Sequence, residues 1–206
     1  MVSFLDWRQT MEKQVPGLGK SSFDLIDAKN LFEALSLTRD GVFADLGCGR
    51  GEYALEAAVR LGKEGAVYAM DLWEEGLVVL KTQAESLGLS QLKVVVADIC
   101  ATLPIEDQSV DICFIATVLH DLVREGCADG AIEEARRILR PQGKLAIVEF
   151  NKFDGHPGPS IDVKLSPDQV EQILAPHGFT RKESREVGPY NYLITFDLSA
   201  THHLKA

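Results

Sequence analysis

A short glycine-rich stretch constrains this chain of 206 residues more than any other part of its sequence. Residues 42–46 (VFADL) are mostly apolar and include an acid, Asp45, and three glycines then alternate at positions 47, 49 and 51. Residues 53–61 have the composition of a helix. Because glycine tolerates a positive φ and has no Cβ, its backbone can approach a bound molecule closely where a helix begins. The stretch therefore predicts a buried strand, a glycine turn and a helix that together hold a ligand.

Two further apolar segments each end in an acid. Residues 66–70 precede Asp71, and residues 92–97 precede Asp98. The three acids are 26 and 27 residues apart, which is the spacing of consecutive βαβ units. Asp71 lies 20 residues after Gly51, at the distance where a strand-end carboxylate can accept hydrogen bonds from ribose hydroxyls. Leu72 and Trp73 follow it and are placed to pack against an adenine face.

The rest of the chain continues the alternation of helices and strands. Apolar spacing and turn residues predict helices over 24–37, 74–87, 131–139 and from Ser166 to His177, and strands over 110–116, 144–150, 180–187 and 190–198, the last two forming an antiparallel pair. Ser166 and Pro167 suit the N-cap and first position of their helix. Residues 151–160 contain prolines and glycines and form a loop, which lines an acceptor pocket, acts as a lid or simply connects two elements.

Composition limits the classes of partner. The formal charge of −10 disfavours nucleic acid, because affinity for phosphates depends on clustered Lys and Arg. No apolar run approaches the ~20 residues that a membrane span needs, and residues 1–10 lack the pattern of a signal peptide, so a cytoplasmic protein without membrane contact is expected. The four cysteines form no CxxC pair, which argues against a zinc or redox site. One alternative role for the cysteines stays open, in which several of their thiolates surround an arsenic atom as the acceptor.

The glycine spacing resembles a known family. A dinucleotide fingerprint has glycines at positions one, three and six, whereas here they fall at one, three and five after an acid. This pattern is similar to the first motif of the class I S-adenosylmethionine-dependent methyltransferases, and the turn Leu139-Arg140-Pro141-Gln142-Gly143 before a strand resembles their closing signature. Residues 116–122 resemble the loop after the fourth strand in many small-molecule members of the family, so a loop is expected there. The resemblance implies an α/β fold, a doubly wound Rossmann-like seven-stranded sheet in the order 3-2-1-4-5-7-6 with strand 7 antiparallel. It covers a methyltransferase domain over 23–198, with an extension or cap over 1–22 and a tail over 199–206.

The resemblance also implies a cofactor, S-adenosylmethionine, and its site. Asp71 is expected at the ribose and Asp98 at the adenine amine, and the backbone N–H groups of residues 47–51 at the cofactor carboxylate or its backbone side. The expected cofactor-binding residues are Asp45, Gly47, Cys48, Gly49, Gly51, Tyr53, Asp71, Leu72, Asp98, Ile99, Ala116 and Leu119. No metal is expected.

The acceptor half of the site is less defined by the sequence. His120, with Glu149 and Asn151 at the next strand end, is the one polar cluster placed to face an acceptor, and we expect His120 to line the pocket rather than act as an obligatory base. No Asn-Pro-Pro-Tyr-like segment follows the fourth strand and no Lys/Arg-rich extension is present, so a small-molecule acceptor is expected. The chain resembles the broad group of the ubiquinone/menaquinone biosynthesis methyltransferases. Two alternatives remain: a non-catalytic S-adenosylmethionine-binding module that regulates a partner, and an NAD(P)-dependent oxidoreductase. The sequence identifies neither the accepting atom nor the oligomeric state.

Overall fold

The computed structural model describes residues 21–155 and 157–199. The described residues form a seven-stranded sheet in the order β3-β2-β1-β4-β5-β7-β6. Strands β1 to β5 pair in parallel, and β7 is antiparallel to both β5 and β6. The strands are β1 (Val42–Leu46), β2 (Ala66–Asp71), β3 (Leu92–Val96), β4 (Val110–Ala116), β5 (Leu139–Phe150), β6 (Phe179–Glu186) and β7 (Asn191–Leu198). The expected fold and strand order are confirmed.

Six α-helices cover the two faces of the sheet within the described ranges. They are α1 (Ala28–Leu35), α2 (Glu52–Arg60), α3 (Glu74–Ser86), α4 (Leu119–Glu125), α5 (Ala128–Ile138) and α6 (Pro167–Leu174). Two buried clusters result, one for each face: α1, α2 and α3 contribute to one, and α4, α5 and α6 contribute to the other. The sheet is therefore covered on both faces, and a ligand can bind at the edge formed by the carboxyl ends of its strands.

Several boundaries differ from the sequence expectations. The helix expected over 24–37 is interrupted, because Ile26 is extended and Asp27 caps α1 by accepting the N–H of Asn30. Residues 119–125 form helix α4 instead of a loop, and Gly126 ends it in the left-handed region. Leu119 and Leu122 are buried one turn apart, and this packing on the sheet stabilises the helix.

The segment Arg140–Gly143 belongs to β5 rather than to a simple turn. Leu139 pairs with Val110 and Lys144 pairs with Ile112, so four residues on β5 lie opposite the single residue Asp111. This long bulge lets Pro141 stay in the strand, because a proline has no N–H to donate to a ladder. The C-terminal elements match their expectations: Ser166 and Gln169 form a capping box at α6, and β6 and β7 form an antiparallel hairpin.

Other expectations cannot be compared with the structure. The extension over 1–22 falls mostly outside the described residues, as does the tail over 199–206. Over the described ranges, no helix combines the length and apolar character needed to cross a membrane.

Candidate functional site

The glycine turn lies at the carboxyl-terminal edge of the sheet, between β1 and α2, and its own N–H groups hold its shape. The N–H groups of Gly47 and Cys48 both donate to the Met70 carbonyl at 2.9 Å, and that of Gly51 donates to the Cys48 carbonyl at 2.8 Å. The N–H of Gly49 donates to Asp71 Oδ2 at 2.7 Å. These four groups are already used within the protein, so none of them is free to receive a cofactor carboxylate.

The glycines instead supply conformation and space. Gly51 has a φ of +77°, and a Cβ there would lie 2.4 Å from Leu80 Cδ2 on α3. This contact forces glycine at the N-cap of α2 and lets α2 and α3 pack closely. Gly49 has a φ of +55°, and a Cβ there would have no atom within 4 Å of it. The turn is therefore open at Gly49, on the side where a ligand can reach the backbone.

Asp45 is a buried carboxylate with no hydrogen-bonding partner for either oxygen among the described residues. Only 1 % of its surface is exposed. Burial and then the charge of Asp71 raise the pKa of Asp45 to about 8. The backbone N–H of Ala54 favours the ionised form but makes no hydrogen bond of normal geometry. The ionised form of such a buried carboxyl group is costly unless a cation pairs with it.

Asp71 connects the glycine turn to the start of α3. Its Oδ2 accepts the Gly49 N–H, and its Oδ1 accepts the Trp73 N–H at 2.9 Å. Each oxygen keeps a second lone pair for a further donor. Leu72 beside it exposes 64 % of its surface, whereas the Trp73 ring packs on its own helix at Gly76.

Asp98 and Ile99 bring the end of β3 to the same edge. Asp98 is exposed, and its Oδ1 accepts the N–H of Cys100 at 2.9 Å. Ile99 is buried, and its Cδ1 would lie 3.5 Å from a Cβ at Gly47. The ends of β1, β2 and β3 therefore surround one region, as the spacing of the three acids predicts.

The remaining expected cofactor residues are buried at the ends of β1 and β4. Cys48 and Ala116 each keep 8 % of their surface exposed, while Leu119 is fully buried in the core on the first turn of α4. Tyr53 is buried on α2, and its hydroxyl lies 2.8 Å from Ser22 Oγ. Burial raises the pKa of Tyr53 above its ordinary value.

Ser22 and Thr117 adjoin the expected site residue Tyr53, and the sequence did not suggest either of them. Ser22 Oγ lies 3.2 Å from Thr117 Oγ1, so these two side chains join the Tyr53 hydroxyl in one hydrogen-bonded group. Thr117 has a φ of +53°, an unfavourable conformation for a β-branched residue. Its N–H donates to the Val148 carbonyl at 2.7 Å, which ties the strained residue to β5.

His120 and Glu149 form a buried pair where β4 and β5 end. His120 Nδ1 lies 3.0 Å and 2.8 Å from the two Glu149 carboxylate oxygens, and the backbone N–H of His120 also donates to Oε1 at 3.1 Å. Burial opposes protonation, but the Glu149 hydrogen bond and charge, with Asp121, raise the pKa of His120 above its ordinary value. Asn151 does not join them, because its side chain donates to Glu186.

A buried lysine holds the loop that follows β5. Lys164 is 1 % exposed, and its Nζ donates to the carbonyls of Phe153 and Gly155 at 3.0 Å each. Lys152 donates in turn to the Lys164 carbonyl at 2.7 Å. No pattern in the sequence distinguishes Lys164 from a surface lysine. The loop is thus held at two of its carbonyls by the segment that precedes α6.

Within the described ranges no group of three or more His, Cys, Asp or Glu side chains is arranged to hold a metal ion. The carboxyl-terminal edge of the sheet suits a ligand that carries a cationic group, a ribose and an adenine better than it suits a metal ion. Asp45 lacks a cationic partner, the turn is open at Gly49, and Asp71 has lone pairs to spare.

Comparisons with known proteins agree with this geometry. A family model described as a methyltransferase domain matches residues 44–147, which is half of the chain. A crystal structure of a SAM-dependent methyltransferase from Aquifex aeolicus superposes with a TM-score of 0.78 and 25 % identity, over 92 % of this chain and 96 % of that one. The chain therefore belongs to the class I S-adenosylmethionine-dependent methyltransferase family, whose cofactor is S-adenosylmethionine.

Two curated relatives carry different names. A probable cobalt-precorrin-6B C(15)-methyltransferase (decarboxylating) from Pyrobaculum calidifontis is 40 % identical over 78 residues, or 36 % of this chain and 40 % of that protein. The ubiquinone/menaquinone biosynthesis C-methyltransferase UbiE of Chromobacterium violaceum is 32 % identical over 127 residues, or 59 % of this chain and 50 % of that protein. The chain spans half or less of the length of these relatives.

Proposed function

We propose that the protein transfers the methyl group of S-adenosylmethionine to a small-molecule acceptor. The observation that carries the proposal is the group of three strand-end acids around the open glycine turn, with Asp45 buried and unpaired at its centre. S-adenosylmethionine contains a cationic ammonium group, a ribose diol and an adenine amine, which are chemically complementary to these carboxylates.

Each acid has a role that follows from its contacts. Asp45 would pair with the ammonium group, since a buried carboxylate needs a cation. Asp71 would accept the ribose hydroxyls with the lone pairs that Gly49 and Trp73 leave free. Asp98 is exposed and suits the adenine amine, while Ile99 and Leu72 offer apolar surface beside the base.

The cofactor supplies an electrophilic methyl group when bound, so the protein has mainly to bind, orient and exclude water. The segment from Ala116 to His120 lies beside the glycine turn, because Val118 Cγ2 would be 3.0 Å from a Cβ at Gly47. An acceptor held between this segment and the end of β5 would face the cofactor at close range, as in-line transfer requires.

A small molecule is the acceptor that the observations favour. The net charge of −10 disfavours phosphate-rich polymers. The two relatives described above are named for a cobalt-precorrin and for the biosynthesis of ubiquinone and menaquinone, which are small molecules. All four cysteines are free, which supports a reducing compartment such as the cytoplasm as the place of action.

A second candidate is a protein that binds S-adenosylmethionine without transferring its methyl group, because this fold also occurs in a protein that is named for a different reaction. A [4+2]-cyclase, SpnF, shares the fold with a TM-score of 0.67 and 18 % identity, over 84 % of this chain and 82 % of that one. The fold alone therefore does not determine the reaction.

A methyl-transfer assay separates the two candidates. The protein is incubated with S-adenosylmethionine and a panel of small metabolites, and S-adenosylhomocysteine and methylated products are measured by mass spectrometry. We expect a product from at least one small molecule, and its formation should fall in Asp71→Asn. Calorimetric binding of S-adenosylmethionine with no product from any panel member would favour the non-catalytic candidate.

A further inference from the structure

Cys100 and Cys127 are neighbours in the folded protein although they are far apart in the chain. Cys100 lies in the segment that follows β3, and Cys127 is the N-cap residue of α5. Their thiol groups are close enough to share a hydrogen bond, and both side chains pack at half-buried positions against the same hydrophobic cluster. Both cysteines are free. The sequence contains no CxxC motif, but the fold supplies a pair of adjacent thiols.

The backbone holds the two segments together independently of the sulfur atoms. A Cβ on Gly130 would lie 2.4 Å from the carbonyl oxygen of Cys100, so this glycine lets the segment after β3 lie directly on the first turn of α5. Gly130 is three positions after Cys127, and residues three apart lie on the same side of a helix. Further along, the N–H of Leu103 donates to Glu134 on α5 at 2.8 Å. This packing keeps the two thiols side by side.

The Cys100 end of the pair is connected to the cofactor edge. The backbone N–H of Cys100 donates to Asp98 Oδ1 at 2.9 Å, and that of Ala101 donates to the Asp98 carbonyl at 3.1 Å. These bonds orient the carboxylate that suits the adenine amine. In the described part of the chain, the side chain of Cys127 makes no capping hydrogen bond to α5. A displacement of Cys100 is therefore transmitted to Asp98, whereas the Cys127 thiol can react without uncapping its helix.

We propose that Cys100 and Cys127 form a redox-sensitive modification site, at which a low-molecular-weight disulfide oxidises the two thiols to an intramolecular disulfide that weakens cofactor binding. This rests on the proposed function, since it assigns a regulation to the adenine end of the same site. A covalent bond brings two sulfur atoms closer together than a hydrogen bond does. Its formation draws the Cys100 segment toward Cys127 and, through the Cys100 N–H, displaces the Asp98 carboxylate.

The first step of the exchange is an attack by Cys127. Only a thiolate is nucleophilic, and burial and then the hydrogen bond with Cys127 raise the pKa of Cys100 to about 12, so Cys100 keeps its proton. The Cys127 thiolate attacks one sulfur of the small disulfide and forms a mixed disulfide with it. One small thiolate leaves with the electron pair of the broken S–S bond.

The second step closes the intramolecular disulfide. Cys127 in the mixed disulfide carries no charge, so it no longer favours the protonated form of Cys100. Cys100 gives its proton to the small thiolate released first and attacks the Cys127 sulfur, and the second small thiolate leaves and takes up the proton that Cys127 had lost. The protein thus loses two electrons and two protons, which convert one small disulfide into two small thiols.

Neither of the other two cysteines offers such a pair, and a metal ion is a poorer occupant. Cys113 is fully buried and Cys48 keeps 8 % of its surface exposed, and burial raises the pKa of both thiols. Structural zinc takes four ligands, whereas no group of three or more His, Cys, Asp or Glu side chains in the described ranges is arranged to hold a metal ion. Disulfides of cytosolic proteins are mostly transient and redox-sensing, which is the behaviour proposed for this pair.

Mass spectrometry tests for the disulfide directly. The reduced, folded protein is incubated with oxidised glutathione, quenched with iodoacetamide and digested with trypsin. We expect the peptide of residues 94–124 to be joined to that of residues 125–136, with fragmentation assigning the bond to Cys100 rather than to Cys113. Cys127→Ser should abolish the joined peptides, and the matched control Cys113→Ala should retain them.

Calorimetry measures the consequence for the cofactor. S-adenosylmethionine should bind the oxidised protein about tenfold or more weakly than the reduced protein, because loss of one hydrogen bond to a charged group lowers affinity by at least about that factor. Dithiothreitol should restore the affinity. In Cys127→Ser the same oxidation should change Kd by less than about twofold, and Asp98→Asn should bind weakly in both redox states.

The proposal would be overturned by the absence of a Cys100–Cys127 bond in folded, oxidised protein, or by a bond that forms only after denaturation. Equal affinities of the reduced and oxidised protein would overturn it too, as would a loss of affinity that persists in oxidised Cys127→Ser. Failure of the reduced protein to bind S-adenosylmethionine would instead refute the proposed function. The joined peptides form without the cofactor, so the two failures can be told apart.

Discussion

At the scale of single residues, Asp45 makes the stability of the protein and its affinity for the cofactor depend on pH. Its pKa is raised to about 8, chiefly by burial, so the carboxyl group is mostly protonated at neutral pH without a ligand. An unfolded aspartate ionises near pH 4. Between about pH 4 and 8 the folded protein therefore binds one more proton than the unfolded chain, and this group lowers the stability as pH rises through that window. A cationic partner would lower the pKa of Asp45 by favouring its ionised form, and would thereby remove this loss of stability.

Cofactor affinity should accordingly rise with pH. Pairing of Asp45 with the cofactor ammonium requires release of its proton, so Kd should fall by up to about tenfold per pH unit between pH 6 and 8. Calorimetry in buffers of different ionisation enthalpy should detect proton release on binding. Asp45→Asn should bind more weakly and lose the pH dependence in this range, while its unliganded form gains stability near pH 8. A wild-type Kd that stays constant from pH 6 to 8 would place Asp45 outside the cofactor contacts.

At the scale of elements, the contact between α2 and α3 depends on one glycine. Gly51 begins α2 at a φ of +77°, and Leu80 of α3 occupies the space that a Cβ would need. Gly88 has a similar φ of +68° but no atom within 4 Å of a Cβ position. The two positions therefore share a backbone requirement and differ in packing.

Substitution by alanine separates these two requirements. Gly88→Ala should cost about 1–2 kcal/mol of unfolding free energy, from the left-handed conformation alone. Gly51→Ala should cost about 1–3 kcal/mol more, because the methyl group overpacks against Leu80, and it should also weaken cofactor binding. Denaturant unfolding of both variants measures the difference. Equal losses would show that Leu80 moves aside without cost.

The elements also show how far the sequence determines the structure. The three strand-end acids predict consecutive βαβ units and the position of the glycine turn, because such units have regular lengths. The order of the strands in the sheet is predicted by the family resemblance instead. Helix α4 was not predicted, since its seven residues are too few for a clear period and are stabilised by packing. The sequence groups His120 with Glu149 at neighbouring strand ends, but their hydrogen bond, between residues 29 positions apart, depends on the pairing of β4 with β5. Lys164 reaches two carbonyls of a loop without regular pattern. Such contacts are set by tertiary geometry rather than by local sequence.

At the scale of the whole molecule, the two ends of the strands form two edges of the sheet that hold different groups. The carboxyl ends of β1 to β5 bring together the three acids, the glycine turn and the His120–Glu149 pair. The opposite edge holds the bulge at Arg140–Gly143 and the contact of His177 with Glu133. A ligand that binds at the first edge contacts residues at the ends of several strands and should stabilise the whole domain.

S-adenosylmethionine and S-adenosylhomocysteine should therefore raise the melting temperature, whereas NAD and NADP should not. A ligand at a hundred times its dissociation constant adds about 2.7 kcal/mol, which for a domain of this size corresponds to about 5–10 °C. The alternating glycines differ from the dinucleotide fingerprint, and the exposed Asp98 suits an adenine amine at the end of β3. Thermal scans with each ligand test this, and the shift should shrink in Asp71→Asn but not in His177→Gln. Stabilisation by NADH without any by S-adenosylmethionine would assign the edge to a dinucleotide, because the folded protein gains stability only from what it binds.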